Sequence, residues 1–255
     1  MLNVDEKSAV IPKISEISGK KFPQNHVPLS AVSSFPKRMD KLQQQLIVAL
    51  QQPLPGREAH FRMAPAPRRQ NMDAPAGVYH AAVLMLLYPK NNEPHLVLIE
   101  RTSHNERDRH RGQIGLPGGR REDVDRDFSD TARREAEEEV GIVGSEVDML
   151  GKLSPLYIPV SNFEVHSYVG TLDYAPDFTP QASEVNAILE IPLREFLDPK
   201  NHRARDMPFS PNLIIRHVPY FCVGDNVTVW GATAMMLSEL VWLLGKPVAE
   251  NLATN

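Results

Sequence analysis

The chain has 255 residues, 42% of them hydrophobic and 24% charged, and carries a formal net charge of -4. That is enough for one domain of good size with an extension, and no charge-free apolar run approaches the ~20 residues of a membrane-spanning helix. The acidic balance offers no global attraction for nucleic acid or an anionic membrane, and a lone cysteine, Cys222, excludes an intramolecular disulfide and a thiolate-rich zinc site.

Residues 1–35 alternate short apolar pieces with Pro, Ser and Lys and show no sustained period, as expected of an arm of low order or one that docks. The opening MLNVDEKSAVIPKIS lacks the pattern of a secretory signal and the terminal Ala-Thr-Asn is no peroxisomal tripeptide, so a cytoplasmic location is expected. From Pro36, Met39, Leu42, Leu46, Ala49 and Leu50 recur at helical spacing until PLPG stops them. The prolines of FRMAPAPRR, 61–69, argue against a regular helix or central strand, which makes 36–76 a helix followed by a Pro/Arg-rich connector.

The main domain is expected over 77–245. It opens with two apolar runs, GVYHAAVLMLLY and HLVLIER, joined by the turn signal PKNNEP, so they predict a strand pair. Further strands are predicted at 150–158, 163–172, 185–191, 212–223 and 227–230, with Cys222 a buried apolar residue in the fourth of these. One helix is expected over 128–140. Another is GATAMMLSELVWLLG, closed by Gly245 and Pro247 and followed by a tail, 246–255. Few strands are separated by regular helices, so the pattern fits a mixed sheet with a helix on each side better than a doubly wound fold.

Within the first of these helices, RREAEEEVG poses an electrostatic problem. Glu135, Glu138 and Glu139 fall at i, i+3 and i+4, on one face, just before the helix-ending Gly141 and so at the end where the helix dipole disfavours anions. A Glu/Arg run is ordinarily a solvated face, and repulsion there costs only ~0.2–0.5 kcal/mol per pair. Here, however, the glycine-rich loop LPGG, 116–119, leads directly into the helix, and Ala132 beside the three carboxylates is too small to block access. Glu137 and Arg133 point away. Such a face suits Mg2+ or Mn2+, hard cations that prefer carboxylate oxygens and complete their shells with water and substrate phosphates.

Gly119, Asp125 and the run Arg134-Glu135-Ala136-Glu137-Glu138-Glu139-Val140-Gly141-Ile142 resemble the Nudix box, G-x5-E-x7-R-E-U-x-E-E-x-G-U, where U is a bulky apolar residue. Asp125 replaces the first Glu, eight residues rather than seven separate it from Arg134, and Ala136 is small for U. Asp with the longer spacing is similar to the coenzyme A pyrophosphatase branch of that family. IERTSHNERDRHRGQIGLPGG also resembles the branch's additional signature, with Thr102 for Ser or Ala, Leu116 for Phe, and about two residues inserted between Arg101 and Gly112. LSPLYIPVSNFEVHSYVG and VWGATAMMLSELV extend the similarity over about 77–245.

The resemblance implies a Nudix-type α/β/α sandwich with a mixed β-sheet and metal-dependent hydrolysis of a diphosphate joining a nucleoside to another group. Glu135, Glu138 and Glu139 would hold the cation, and Arg134 would orient Glu135. Glu135, Glu138 and Glu184 are the candidates for general base. Gly118 and Gly119 would bring backbone close to the metal site. Arg101, Arg107, Arg109 and Arg111, the densest basic stretch, would meet substrate phosphates. With coenzyme A as the small-molecule nucleotide partner, the products would be 3',5'-ADP and 4'-phosphopantetheine. ADP-ribose or a dinucleotide, or a non-catalytic Nudix-fold binding module, are the alternatives. No nucleic-acid or membrane partner is expected, and a homodimer is left open.

Overall fold

The computed structural model describes residues 37–66, 68, 73–102, 112–210 and 213–246. Its centre is β1 (Tyr79–Lys90), hydrogen-bonded antiparallel to β2 (Glu93–Arg101) and parallel to β7 (Phe163–Thr171). β2 also pairs with β3 (Ile114–Gly115) and β8 (Val185–Pro192), while β4 (Gly118–Arg120) pairs with the start of β1. β5 (Asp148–Lys152) and β6 (Leu156–Ile158) both pair antiparallel with β7. One parallel pair among antiparallel ones makes this eight-stranded sheet mixed.

Burial on both faces explains why β1 is apolar almost throughout. Ala82, Leu84, Leu86 and Tyr88 point to α3 (Phe128–Val140) and pack with its Ala132, Ala136 and Val140. Ala81, Met85 and Leu87 point the other way. They join Leu46 of α1 (Lys37–Leu50), Met63 after α2 (Arg57–Arg62), and Ala234, Met235, Leu237 and Leu240 of α5 (Gly231–Leu243). The result is an α/β/α arrangement, as expected, with α3 covering one face of the sheet. A second antiparallel sheet joins β9 (His202–Ser210), β10 (Leu213–Val223) and β11 (Val227–Trp230), and a short α4 (Leu193–Leu197) precedes it. Among the described residues, no helix is long and apolar enough to cross a membrane.

Several sequence expectations need correction. Residues 150–158 are not one strand: Ser154-Pro155 breaks them into β5 and β6, and the Ser154 N–H turns away from the sheet to a carboxylate of α5. Phe61 and Arg62 are helical, because the prolines of the connector begin only after α2 has ended. Cys222 is half-buried beside Met207, Val218 and Tyr220 of the smaller sheet rather than buried. β9, whose His-Arg-Ala-Arg-Asp start has no apolar alternation, was not expected as a strand.

Candidate active site

Asp127 opens α3 by accepting hydrogen bonds from the backbone N–H groups of Ser129 at 2.8 Å and Asp130 at 3.0 Å. Gly141 closes it with φ 75°, a conformation in which a β-carbon would also lie 2.9 Å from Thr179. The chain after β7 then runs back over this end, and the N–H groups of Gln181 and Thr179 donate to the carbonyls of Glu139 at 3.0 Å and Val140 at 2.9 Å. Two of the carbonyls that make a helix C-terminus negative are therefore satisfied beside the glutamates.

The three carboxylates are unequal. Glu138 is half exposed, with 55% of its side chain accessible, Glu135 retains 13%, and Glu139 only 1%. Glu139 Oε2 accepts from the N–H of Gly118 at 2.7 Å, but among the described residues its Oε1 is buried without a hydrogen-bond partner, and the Arg101 guanidinium stands 3.7 Å away. Burial pushes the Glu139 carboxyl up to about 7, against the pull of the Gly118 N–H and Arg101. Burial also raises Glu135, although Arg134 opposes it. An oxygen with a free lone pair in so dry a place is what a hard cation would satisfy, so the donor set fits Mg2+ or Mn2+.

Arg134 connects this face to the loop before it. Its guanidinium donates to Glu135 at 3.0 Å and Glu138 at 3.2 Å, while Nε and Nη2 form a fork on Asp125 at 2.9 and 3.0 Å. Asp125 also accepts from Thr131 Oγ1 at 2.9 Å and the Glu122 N–H at 2.9 Å, and Arg134 more than any other partner holds its carboxyl far below the usual range. Asp125 was legible in sequence only as an imperfect motif position; the fork gives it a place beside the site, where it fixes Arg134.

The glycine turn is tight for two different reasons. A β-carbon on Gly118, whose φ is +154°, would lie 2.4 Å from the Ala82 carbonyl oxygen, which is backbone and cannot yield. On Gly119 it would lie 2.4 Å from Glu135 Oε2, the mobile end of a side chain. Gly118→Ala should therefore cost about 3 kcal/mol of stability, measured by denaturant unfolding. Gly119→Ala should fold normally yet lose roughly a hundredfold in turnover, as expected when a functional group is displaced by ~1 Å. Equal losses of stability in the two variants would contradict this account.

Glu184 is exposed on the loop after α3's covering segment, and its charge acts on both Glu135 and Glu139. Its carbonyl accepts from the Thr102 N–H at 2.8 Å, which ties this loop to the end of β2 and to Arg101. Arg101, Gly118, Gly119, Arg134, Glu135, Glu138, Glu139 and Glu184 thus converge. Arg107, Arg109 and Arg111 lie outside the described residues. Glu137 faces outward, as expected, though its carboxylate also accepts from the Gly144 N–H at 3.2 Å.

The raised Glu139 carboxyl has a consequence for the metal-free protein. The folded chain keeps a proton that the unfolded chain releases near pH 4.5, so the contribution to stability is present below that pH and is lost as pH rises through about 7. Thermal melts in chelator from pH 4.5 to 8 should show the wild type losing up to about 2–3 kcal/mol more than Glu139→Gln. Parallel curves would refute it.

The NUDIX domain model matches residues 78–213, more than half of the chain. The chain therefore belongs to the Nudix family. It is 36% identical over 148 residues, 58% of this chain and 71% of the relative, to a protein described as uncharacterized Nudix hydrolase NudL of Yersinia pestis strain Pestoides F. The NudL of Yersinia pseudotuberculosis serotype O:1b gives the same values. Among solved structures, a MutT/nudix family protein from Enterococcus faecalis superposes with TM-score 0.43 at 14% identity, covering 72% of this chain and 70% of that one. The NUDIX domain of Shewanella oneidensis NrtR, complexed with ADP ribose, gives 0.40 at 19%, covering 53% and 87%.

Proposed function

We propose that this Nudix hydrolase is a divalent-cation-dependent diphosphatase acting on a nucleoside-diphosphate-linked small molecule, with coenzyme A or its acyl derivatives as substrate. The observation that carries the reading is the face of α3 on which Glu135, Glu138 and the buried, under-satisfied Glu139 meet the Gly118 turn. Mg2+ or Mn2+ held by these three residues would neutralise charge on the diphosphate and assist deprotonation of the attacking water.

The chain's own groups have separate tasks. Arg134, clamped by Asp125, holds Glu135 and Glu138 in place and limits their mutual repulsion. Glu184, and the less buried oxygens of Glu135 and Glu138, are the candidates to take the water's proton. Arg101 stands at the mouth of the site, and the basic residues that follow it in sequence, Arg107, Arg109 and Arg111, would receive further substrate phosphates. Coenzyme A is preferred because Asp125, its longer spacing to Arg134 and the stretch before LPGG resemble the coenzyme A pyrophosphatase branch. The same reading keeps the enzyme in the cytoplasm, assigns catalysis to 77–245, and leaves a homodimer open.

Incubation of the purified protein with coenzyme A and Mg2+, followed by product separation, tests this directly. Release of 3',5'-ADP and 4'-phosphopantetheine is expected, with kcat/KM above that for ADP-ribose and dinucleotides. A higher kcat/KM for ADP-ribose would move the assignment to that substrate, and no metal-dependent cleavage across the panel would leave a binding module.

A further inference from the structure

Three side chains at the opposite end of α3 form a cluster that the diphosphatase reading does not use. His80 lies in β1, and Glu164 and His166 lie in β7; because the two strands run parallel with His80 beside Glu164, all three project on the same side of the sheet. His80 Nδ1 and His166 Nε2 are 3.3 Å apart, and Glu164 Oε2 is 3.5 Å from each of them. Three different donors thus occupy the corners of a nearly equilateral triangle.

The side length fits a tetrahedral ion. In a tetrahedral site with bonds of about 2.0–2.1 Å, neighbouring ligand atoms stand about 3.3–3.4 Å apart, whereas octahedral Mg2+ at similar bond length brings them to about 3.0 Å. Two imidazoles and one carboxylate are also a borderline-soft donor set, unlike the all-oxygen face of α3. We infer that His80, Glu164 and His166 form a second metal site, for a Zn2+-class ion with solvent in the fourth position. The side chains of His80, Glu164 and His166 remain 43%, 25% and 20% accessible, which leaves an entry path on the His80 side.

The surroundings hold the ligands in place before any ion arrives. The His166 ring stacks on Phe128, the first residue of α3, with centroids 3.7 Å apart and planes 11° from parallel. Phe128 also meets the His80 ring at 5.4 Å, and the His80 carbonyl accepts from the Arg121 N–H at 3.0 Å. An ion here would staple β1 to β7 under the start of the helix that bears the glutamates. Phe128 is about 10 Å along the helix axis from Glu135, so the two sites are separate.

The test uses the 255-residue chain carrying Glu135→Gln and Glu138→Gln, so that the glutamate face does not dominate uptake. After chelator treatment and dialysis it is titrated with Zn2+ by calorimetry and with Co2+ by visible absorption. About one equivalent of Zn2+ should bind, the melting temperature should rise with Zn2+, and Co2+ should give the intense visible bands of a tetrahedral site. Adding His80→Ala or Glu164→Gln should each weaken Zn2+ binding more than about tenfold, since even partners outside a coordination shell contribute that much. Both substitutions are on accessible side chains and leave the His166–Phe128 stack intact; circular dichroism checks the fold. Absence of saturable Zn2+ uptake, or an affinity within about twofold of the parent in either variant, overturns the site.

Discussion

Glu138→Gln is expected to lower metal-dependent kcat/KM by about a hundredfold or more while leaving the melting temperature near that of the wild type. The reason lies in its exposure. With 55% of the side chain in water and, among the described residues, Arg134 as its one partner, Glu138 contributes little to folding. Its negative charge, in contrast, is one of three that would hold the cation, and Gln keeps the shape while removing that charge. Most of the loss should appear in activity at fixed Mg2+ and a smaller part should be recovered by raising Mg2+. Arg134 still has the Asp125 fork and Glu135 in the variant, so the helix face should not rearrange. Undiminished turnover by Glu138→Gln at limiting Mg2+ would remove the proposed metal site.

The parts of the fold legible in sequence are those whose cause is local. α3 spans Phe128–Val140 as expected because its capping Gly141 follows it directly and its small core-facing alanines lie within it. β1 and β2 were legible from apolar runs around a turn. α2 and α4 were not, since helices of six and five residues are too short to display a period. β9 escaped because, of its described side chains, only His202 and Met207 are buried, too few for burial to impose an alternation on it.

The same division applies to the sites. Glu135, Glu138 and Glu139 could be grouped by helical spacing alone, and Arg134 by its adjacency. That Asp125 forks Arg134 depends on the path of a short loop, which spacing does not determine. His80 and His166 meet only because β1 and β7 adopt one register out of many, and sequence offers no local sign of that pairing. The difference between Glu138 and Glu139 was also hidden: both lie on the chosen face, but only Glu139 reaches beneath the Gly118 turn.

Glu239→Ala is expected to destabilise the protein by about 3–5 kcal/mol, because it leaves several buried hydrogen-bonding groups without their shared acceptor. Glu239 of α5 is fully buried, as is His60 of α2, and they meet at 3.1 Å. Its Oε1 also accepts from the Gly56 N–H at 3.0 Å and Ser154 Oγ at 2.7 Å, and its Oε2 from the Ser154 N–H at 3.1 Å. Burial by itself would raise this carboxyl, but His60, Ser154 and Gly56 outweigh it and hold it below its ordinary value. The N–H groups of Gly56 and Ser154 can only donate, so Gln is no conservative replacement: in either orientation its amide N–H would face one of them, and Glu239→Gln should lose nearly as much as Ala. For a domain of this size the melting temperature should fall by roughly 6–20 °C. Because the hub joins α2 and the β5–β6 break to α5, on the side of the sheet away from α3, hydrogen exchange should accelerate first in 53–66. Turnover per folded molecule should stay close to wild type at low temperature, the reverse of the Glu138→Gln result. A Glu239→Gln melting temperature within about 2 °C of wild type would show that these four contacts are not what fastens α2 to the core.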